Sequence, residues 1–175
     1  FALTGALLAS RVAGVSWTRV GWIVVCMVTA RSAAMGFNRL VDAAYDARNP
    51  RTAMREIPRG AMSRIEAMGF VGVSSLVFVA SASRLGPVCF WLSPVALAIV
   101  FWYSLAKRFT SYTQLFLSLA MAVAPVGGWI AMGGPIRLEP WVLGLAIGSW
   151  VAGFDVLYAC QDLEFDRQAQ LRSIP

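Results

Sequence analysis

Residues 85–106 read LGPVCFWLSPVALAIVFWYSLA, a run without one charged side chain. Its length matches the ~20 apolar residues that an α-helix needs to cross a bilayer. Working outward, charge-free runs recur at 67–83, 109–136 and 140–154, and the apolar stretches 1–10 and 20–37 bring the candidate spans to six. The first of these is short, and the second carries Arg31. Over the whole chain 58% of residues are hydrophobic and 14% charged, against about a quarter charged in ordinary soluble domains. The expected fold is therefore all-α, a polytopic transmembrane helical bundle lying in the lipid bilayer.

The chain opens on Phe1 inside an apolar run, with no basic segment ahead of it as a signal peptide requires, and it closes at Pro175 just past an acidic motif. The expectation is of a sequence truncated at both ends, with more helices following. Cys26, Cys89 and Cys160 stand singly in apolar surroundings, so neither a disulfide framework nor a thiolate metal site is indicated. There is no histidine, which removes the commonest zinc ligand and general base; a metal here would be a hard cation held by oxygen.

A net charge of +6 does not point to nucleic acid, because the basic residues lie between apolar runs and form no patch interleaved with aromatics. They describe topology instead. If the loop after Asp46 is cytoplasmic, then Arg39, Arg48, Arg51, Arg55, Arg59, Arg64, Lys107, Arg108, Arg167 and Arg172 are inside, with Arg11, Arg19, Arg84 and Arg137 outside, ten against four. That satisfies the positive-inside rule. The second helix then covers about 20–46, the fourth about 87–107, the fifth about 112–132 and the sixth about 140–166, with a long basic loop around 49–64. Pro87, Pro94 and Pro140 are expected near helix starts, and Pro125 inside the fifth helix as a kink.

All five aspartates fall in two short clusters, at the inner ends of the second and sixth helices. Asn38, Asp42 and Asp46 recur every four residues and so line one helical stripe, with Arg31 deeper on the same stripe. Asp155, Tyr158, Asp162 and Asp166 share a face in the same way, with Gln161 rotated off it. Ionisable groups at membrane depth are functional candidates by default. Carboxylates gathered this closely repel and call for a polyvalent cation, and oxygen-only donors suit Mg2+. Such a site completes its coordination with water and substrate phosphate. Arg48, Arg51 and Arg55 follow the first cluster directly, and Lys107 and Arg108 close the fourth helix on the same side, four residues after Tyr103, so cations are at hand for a diphosphate.

The stretch Asn38-Arg39-Leu40-Val41-Asp42-Ala43-Ala44-Tyr45-Asp46-Ala47-Arg48-Asn49-Pro50-Arg51-Thr52 resembles the first aspartate-rich motif of the UbiA intramembrane aromatic prenyltransferases. Asp155-Val156-Leu157-Tyr158-Ala159-Cys160-Gln161-Asp162-Leu163-Glu164-Phe165-Asp166 resembles the second, and Tyr103-Ser104-Leu105-Ala106-Lys107-Arg108 is similar to the segment at the end of the family's fourth helix. The phrases Asn-Pro-Arg-Thr and Tyr-Ala-x-Gln-Asp place it nearest the 4-hydroxybenzoate polyprenyltransferase-like bacterial enzymes.

The resemblance implies nine helices around a cavity, of which this chain holds about six, with residues 1–175 as one transmembrane prenyltransferase domain. It implies catalytic roles for Asp42, Asp46, Asp162 and Asp166. One Mg2+ would sit on Asn38, Asp42 and Asp46, and a second on Asp162 and Asp166. Lys107 and loop arginines such as Arg55 would meet the diphosphate, and Arg31 the aromatic acceptor. Arg51, Tyr103, Arg108, Asp155 and Tyr158 complete the expected substrate-binding set. Gln170 and Arg172 depart from the family pattern, where Gly and often His are expected.

The implied partners are a polyprenyl diphosphate and an aromatic acid, and the implied setting is quinone biosynthesis at the bacterial inner membrane, with the site toward the cytoplasm. A naphthoate or futalosine-pathway acceptor is the alternative within the family. A cation transporter, which favours acids at the midplane on broken helices, and a non-catalytic membrane protein are the alternatives outside it.

Overall fold

The computed structural model describes residues 1–106, 108–163 and 174, with Asp162 by its backbone alone. Six α-helices follow one another: α1 Ala2–Ala13, α2 Trp17–Asp46, α3 Arg64–Leu85, α4 Pro87–Ala106, α5 Thr113–Met132 and α6 Glu139–Ala159, closed by a short 3-10 turn at Cys160–Asp162. There is no strand among the described residues. Five of the helices, α2 to α6, are long and apolar enough to cross a membrane, and α1 is a shorter apolar helix of 12 residues. A bundle of this kind satisfies every backbone group within its own segment, as lipid requires.

Local chemistry sets the helix ends. The Ser16 hydroxyl accepts from the Arg19 amide at the start of α2, and α3 opens on a capping box. There Ser63 Oγ accepts from the Glu66 amide at 3.2 Å while the Glu66 carboxylate accepts from the Ser63 amide at 2.7 Å. Gly86, at φ 133°, ends α3, and Pro87 at once begins α4. Gly133, in the left-handed region at φ 90°, ends α5. The carbonyls left over there find a long-range partner: Arg19 Nη1 donates to Ala131 O at 2.7 Å, tying the start of α2 to the end of α5.

Small residues let these helices approach, as they must where lipid gives no hydrophobic drive between helices. A Cβ at Gly5 would fall on the Pro125 carbonyl, and one at Gly128 on the Ala2 carbonyl, so α1 and α5 lie backbone to backbone. Gly144 and Gly148 of α6 meet Ala122 and Ser118 of α5 in the same manner. Around the α1/α5 contact, Ala6, Ala9, Ile23, Leu85, Trp129, Ala131 and Met132 form a buried cluster.

Two sequence expectations shift. Pro94 lies inside α4, not at its start; the Phe90 carbonyl, which loses its i+4 amide partner there, accepts from the Ser93 hydroxyl at 2.7 Å. The sixth helix, expected to run unbroken to Asp166, passes into a 3-10 turn at Cys160–Asp162, and Asp166 lies outside the described residues.

The backbone contact makes a prediction. Gly128→Leu places its side chain on the Ala2 carbonyl and cannot be relieved by a rotamer, so it should cost about 1–3 kcal/mol, as overpacking does. Gly127→Leu, one residue away and facing open space, should be close to neutral. Thermal unfolding of the two variants in detergent checks the contrast.

Candidate functional site

The α2 stripe ends in a buried acidic corner. Asp42 and Asp46 are 2% and 6% exposed, a burial that carboxylates tolerate only when paired. Asn38 Nδ2 donates to Asp42 Oδ2 at 3.4 Å, one turn up the stripe. Arg55, from the loop between α2 and α3, brings Nη1 to both oxygens of Asp46 at 2.9 Å. Arg108, just past α4, donates Nη2 to Val41 O at 2.6 Å and lies 3.6 Å from Asp42 Oδ1. The ends of α2 and α4 therefore meet. Guanidinium groups of the protein thus stand against both carboxylates and offset part of their mutual repulsion.

The loop is folded on the stripe by residues that the sequence reading did not single out. Thr52 Oγ1 donates to Asp46 O at 3.1 Å, and Asn49 Oδ1 accepts from the Arg51 amide at 3.0 Å. Both Asn49 and Thr52 are buried, at 8% and 5% exposed. The available signal was the phrase Asn49-Pro50-Arg51-Thr52, since Asn before Pro starts turns by bonding the backbone two residues on. Farther along, Glu56 pairs with Arg39 of α2, and the Glu56 carbonyl accepts from the amides of Ala61 and Met62 at 2.8 and 3.1 Å.

Arginine and tyrosine link the corner to its surroundings. The guanidinium groups of Arg48 and Arg108 each stand 5.7 Å from the centre of the Tyr45 ring. That of Arg51 stands 5.9 Å from the ring of Tyr158 on α6, within cation–π range. Tyr103, near the end of α4, is within electrostatic reach of both Asp42 on α2 and Asp155 on α6. Next to Asn38 in sequence, Phe37 packs on Phe101 of α4 with ring centres 4.5 Å apart.

Of the expected site residues, Asn38, Asp42, Asp46, Arg55 and Arg108 thus form one contact set. Arg51, Tyr103, Asp155 and Tyr158 border it. Arg31 is exposed on α2, two turns before Asn38, and makes no hydrogen bond or ion pair among the described residues. Lys107, Asp166 and the Asp162 side chain lie outside the described residues.

Among the described residues no group of three or more His, Cys, Asp or Glu gathers as a metal site. The α2 stripe supplies two carboxylates and an amide, which in donor type fits a hard divalent cation that takes its remaining ligands from elsewhere.

Removing one member of a buried pair leaves the other charge uncompensated. Asp46→Asn should therefore lower stability by about 1–3 kcal/mol, and Arg55→Gln by a similar amount. The double variant should lose less than the sum. Denaturation without divalent cations checks this, and a stabilised Asp46→Asn would show that repulsion dominates the corner.

A model of the UbiA prenyltransferase family matches residues 1–175. Among curated relatives, a mitochondrial 4-hydroxybenzoate polyprenyltransferase of Saccharomyces cerevisiae is 33% identical over 98% of this chain and 46% of its own length. A 4-hydroxybenzoate solanesyltransferase of Synechocystis sp. is 35% identical over 78% of this chain and 47% of its own. The chain thus spans about half the length of these relatives.

Among solved structures, the apo form of a UbiA homolog from Aeropyrum pernix K1 superposes with TM-score 0.91 at 35% identity, covering 99% of this chain and 66% of that one. A UbiA homolog from Archaeoglobus fulgidus bound to GPP and Mg2+ shares the fold, with TM-score 0.76 at 21% identity over 100% of this chain and 63% of that one.

Proposed function

Because this chain belongs to the UbiA prenyltransferase family, we propose that it forms part of a Mg2+-dependent enzyme. In this reading the enzyme transfers a polyprenyl group from polyprenyl diphosphate to an aromatic acid resembling 4-hydroxybenzoate, in quinone biosynthesis. The observation that carries this reading is the pairing of opposite charges at one end of the bundle. Two buried carboxylates lie on a single stripe, and Arg48, Arg51, Arg55 and Arg108 surround it. A substrate that brings both a metal and several negative charges engages both halves of that arrangement, the metal on the carboxylates and the phosphate oxygens on the guanidinium groups. The relatives named for 4-hydroxybenzoate prenyl transfer and the homolog bound to GPP and Mg2+ support the same chemistry.

In this reading Asn38, Asp42 and Asp46 would hold one Mg2+, and Asp162 and Asp166 a second. Bound there, Mg2+ supplies charge neutralisation to the leaving diphosphate. Arg51, Arg55, Lys107 and Arg108 would take the diphosphate oxygens and hold the negative charge released when the allylic C–O bond breaks; the allylic cation then bonds to the electron-rich ring of the acceptor, which loses a proton. Tyr45, Tyr103 and Tyr158 border the ionising centre, where their ring faces stabilise positive charge. Arg31, exposed on α2 and without a carboxylate partner among the described residues, has a guanidinium fork suited to an aromatic carboxylate. The carboxylate end of the bundle faces the cytoplasm, by the excess of basic residues there.

Supplying the full-length enzyme with Mg2+, a polyprenyl diphosphate and a panel of aromatic acids, with mass spectrometry of the products, tests the reading. A prenylated hydroxybenzoate supports it, and a prenylated naphthoate or glycerol lipid redirects the acceptor. Release of diphosphate with no prenylated product under any acceptor would end it.

Two further outcomes are expected. Asp42→Asn keeps the shape and removes a charge from the cation site, so turnover should fall by roughly 100-fold or more. Arg31→Ala should lose aromatic prenylation while still binding prenyl diphosphate, which a diphosphate analogue measures directly.

A further inference from the structure

Asp46 is engaged by a side chain of the protein itself. Arg55 Nη1 meets both of its oxygens at 2.9 Å, and a second guanidinium, that of Arg108, stands 3.6 Å from Asp42. The two arginines come from different elements, the loop after α2 and the turn after α4, yet close on one stripe. Arg55 is also aimed: the next residue, Glu56, is pinned to α2 through Arg39, and the chain turns back on the Glu56 carbonyl. Both arginines keep about a third of their side chain exposed, 33% for Arg55 and 35% for Arg108, whereas the carboxylates they meet are 9% and 3% exposed. The carboxylates are fixed and the arginines have room to move.

A divalent cation approaching Asp46 has to displace a charge-assisted contact to both oxygens, and alone it offers the freed guanidinium nothing in return. A diphosphate does offer something, since its oxygens suit the planar guanidinium fork better than a single carboxylate. We propose that Arg55 and Arg108 exchange partners on loading, holding Asp46 and Asp42 beforehand and the diphosphate afterwards, so that cation and diphosphate bind as a unit and the cation alone is held off. The inference rests on the diphosphate reading above and adds the order in which the two components enter. By linkage, diphosphate must raise the affinity for the cation by the same factor as the cation raises that for diphosphate.

Exchange requires opposite signs in one variant. Arg55→Gln removes the competitor of the cation and also a contact to the diphosphate. The cation alone should then bind tighter, while its enhancement by diphosphate shrinks. A residue that only supports the fold would weaken both.

The experiment is equilibrium dialysis of Mn2+ against the full-length protein in nanodiscs, alone and with inorganic pyrophosphate. The wild type should take up Mn2+ weakly alone and strongly with pyrophosphate. Arg55→Gln should bind Mn2+ alone roughly tenfold tighter and lose roughly tenfold of the pyrophosphate enhancement. Arg108→Gln, whose contact to Asp42 is longer, should move the same way by less, and it serves should Arg55→Gln fail to fold. Variants that bind Mn2+ alone no tighter than the wild type, with pyrophosphate-dependent uptake intact, overturn the exchange and leave the diphosphate reading standing. A wild type that takes up no Mn2+ even with pyrophosphate overturns both.

Discussion

Two carboxylates buried at the end of a long apolar helix are the constraint around which this end of the molecule is organised. Asp42 and Asp46 are almost wholly removed from solvent, and isolated charges in such a setting cost several kcal/mol or neutralise. The chain answers with guanidinium groups from elsewhere. Arg55 requires the loop after α2 to double back, and Arg108 requires the end of α4 to lie against the end of α2. The course of the loop and the neighbourhood of α2 and α4 both follow from satisfying one acidic stripe.

The opposite end of the bundle is held by different means. There Arg19 caps the carbonyls at the end of α5, and the Gly5 and Gly128 contacts bring α1 and α5 into backbone contact. Tight, small-residue packing fixes the bundle at that end and leaves the charged end free to be polar. The division suits a site that must hold buried acids beside partly exposed arginines. It also explains why the loop bearing Arg51 and Arg55 is anchored through buried Asn49 and Thr52 and not through apolar packing.

Much of this was legible in the residue pattern. The apolar runs located α2 to α6, and the four-residue spacing of Asn38, Asp42 and Asp46 identified the stripe. The flanking charges assigned the ends of α2 and α4 to one membrane side, and their contact came from the fold. Two features were not legible. The capture of Asp46 by Arg55 joins residues nine apart across an irregular loop, where no helical or strand period relates them. The change to a 3-10 turn at Cys160 also escaped, because the residues there carry no Gly or Pro to mark it.

The sequence by itself determined the solvent, the fold class and the kind of ligand atom available, because hydrophobic run length, helical spacing and the absence of histidine are properties of the chain read in order. Which charge neutralises which was decided only by the tertiary structure. Fifteen basic residues and nine acidic ones allow many pairings of similar Coulomb energy in sequence. Electrostatic attraction becomes selective only when burial lowers the local dielectric and folding sets the distances. Asp46 with Arg55, Asp42 beside Arg108, and Arg51 over Tyr158 are consequences of where three helix ends and one loop come to rest.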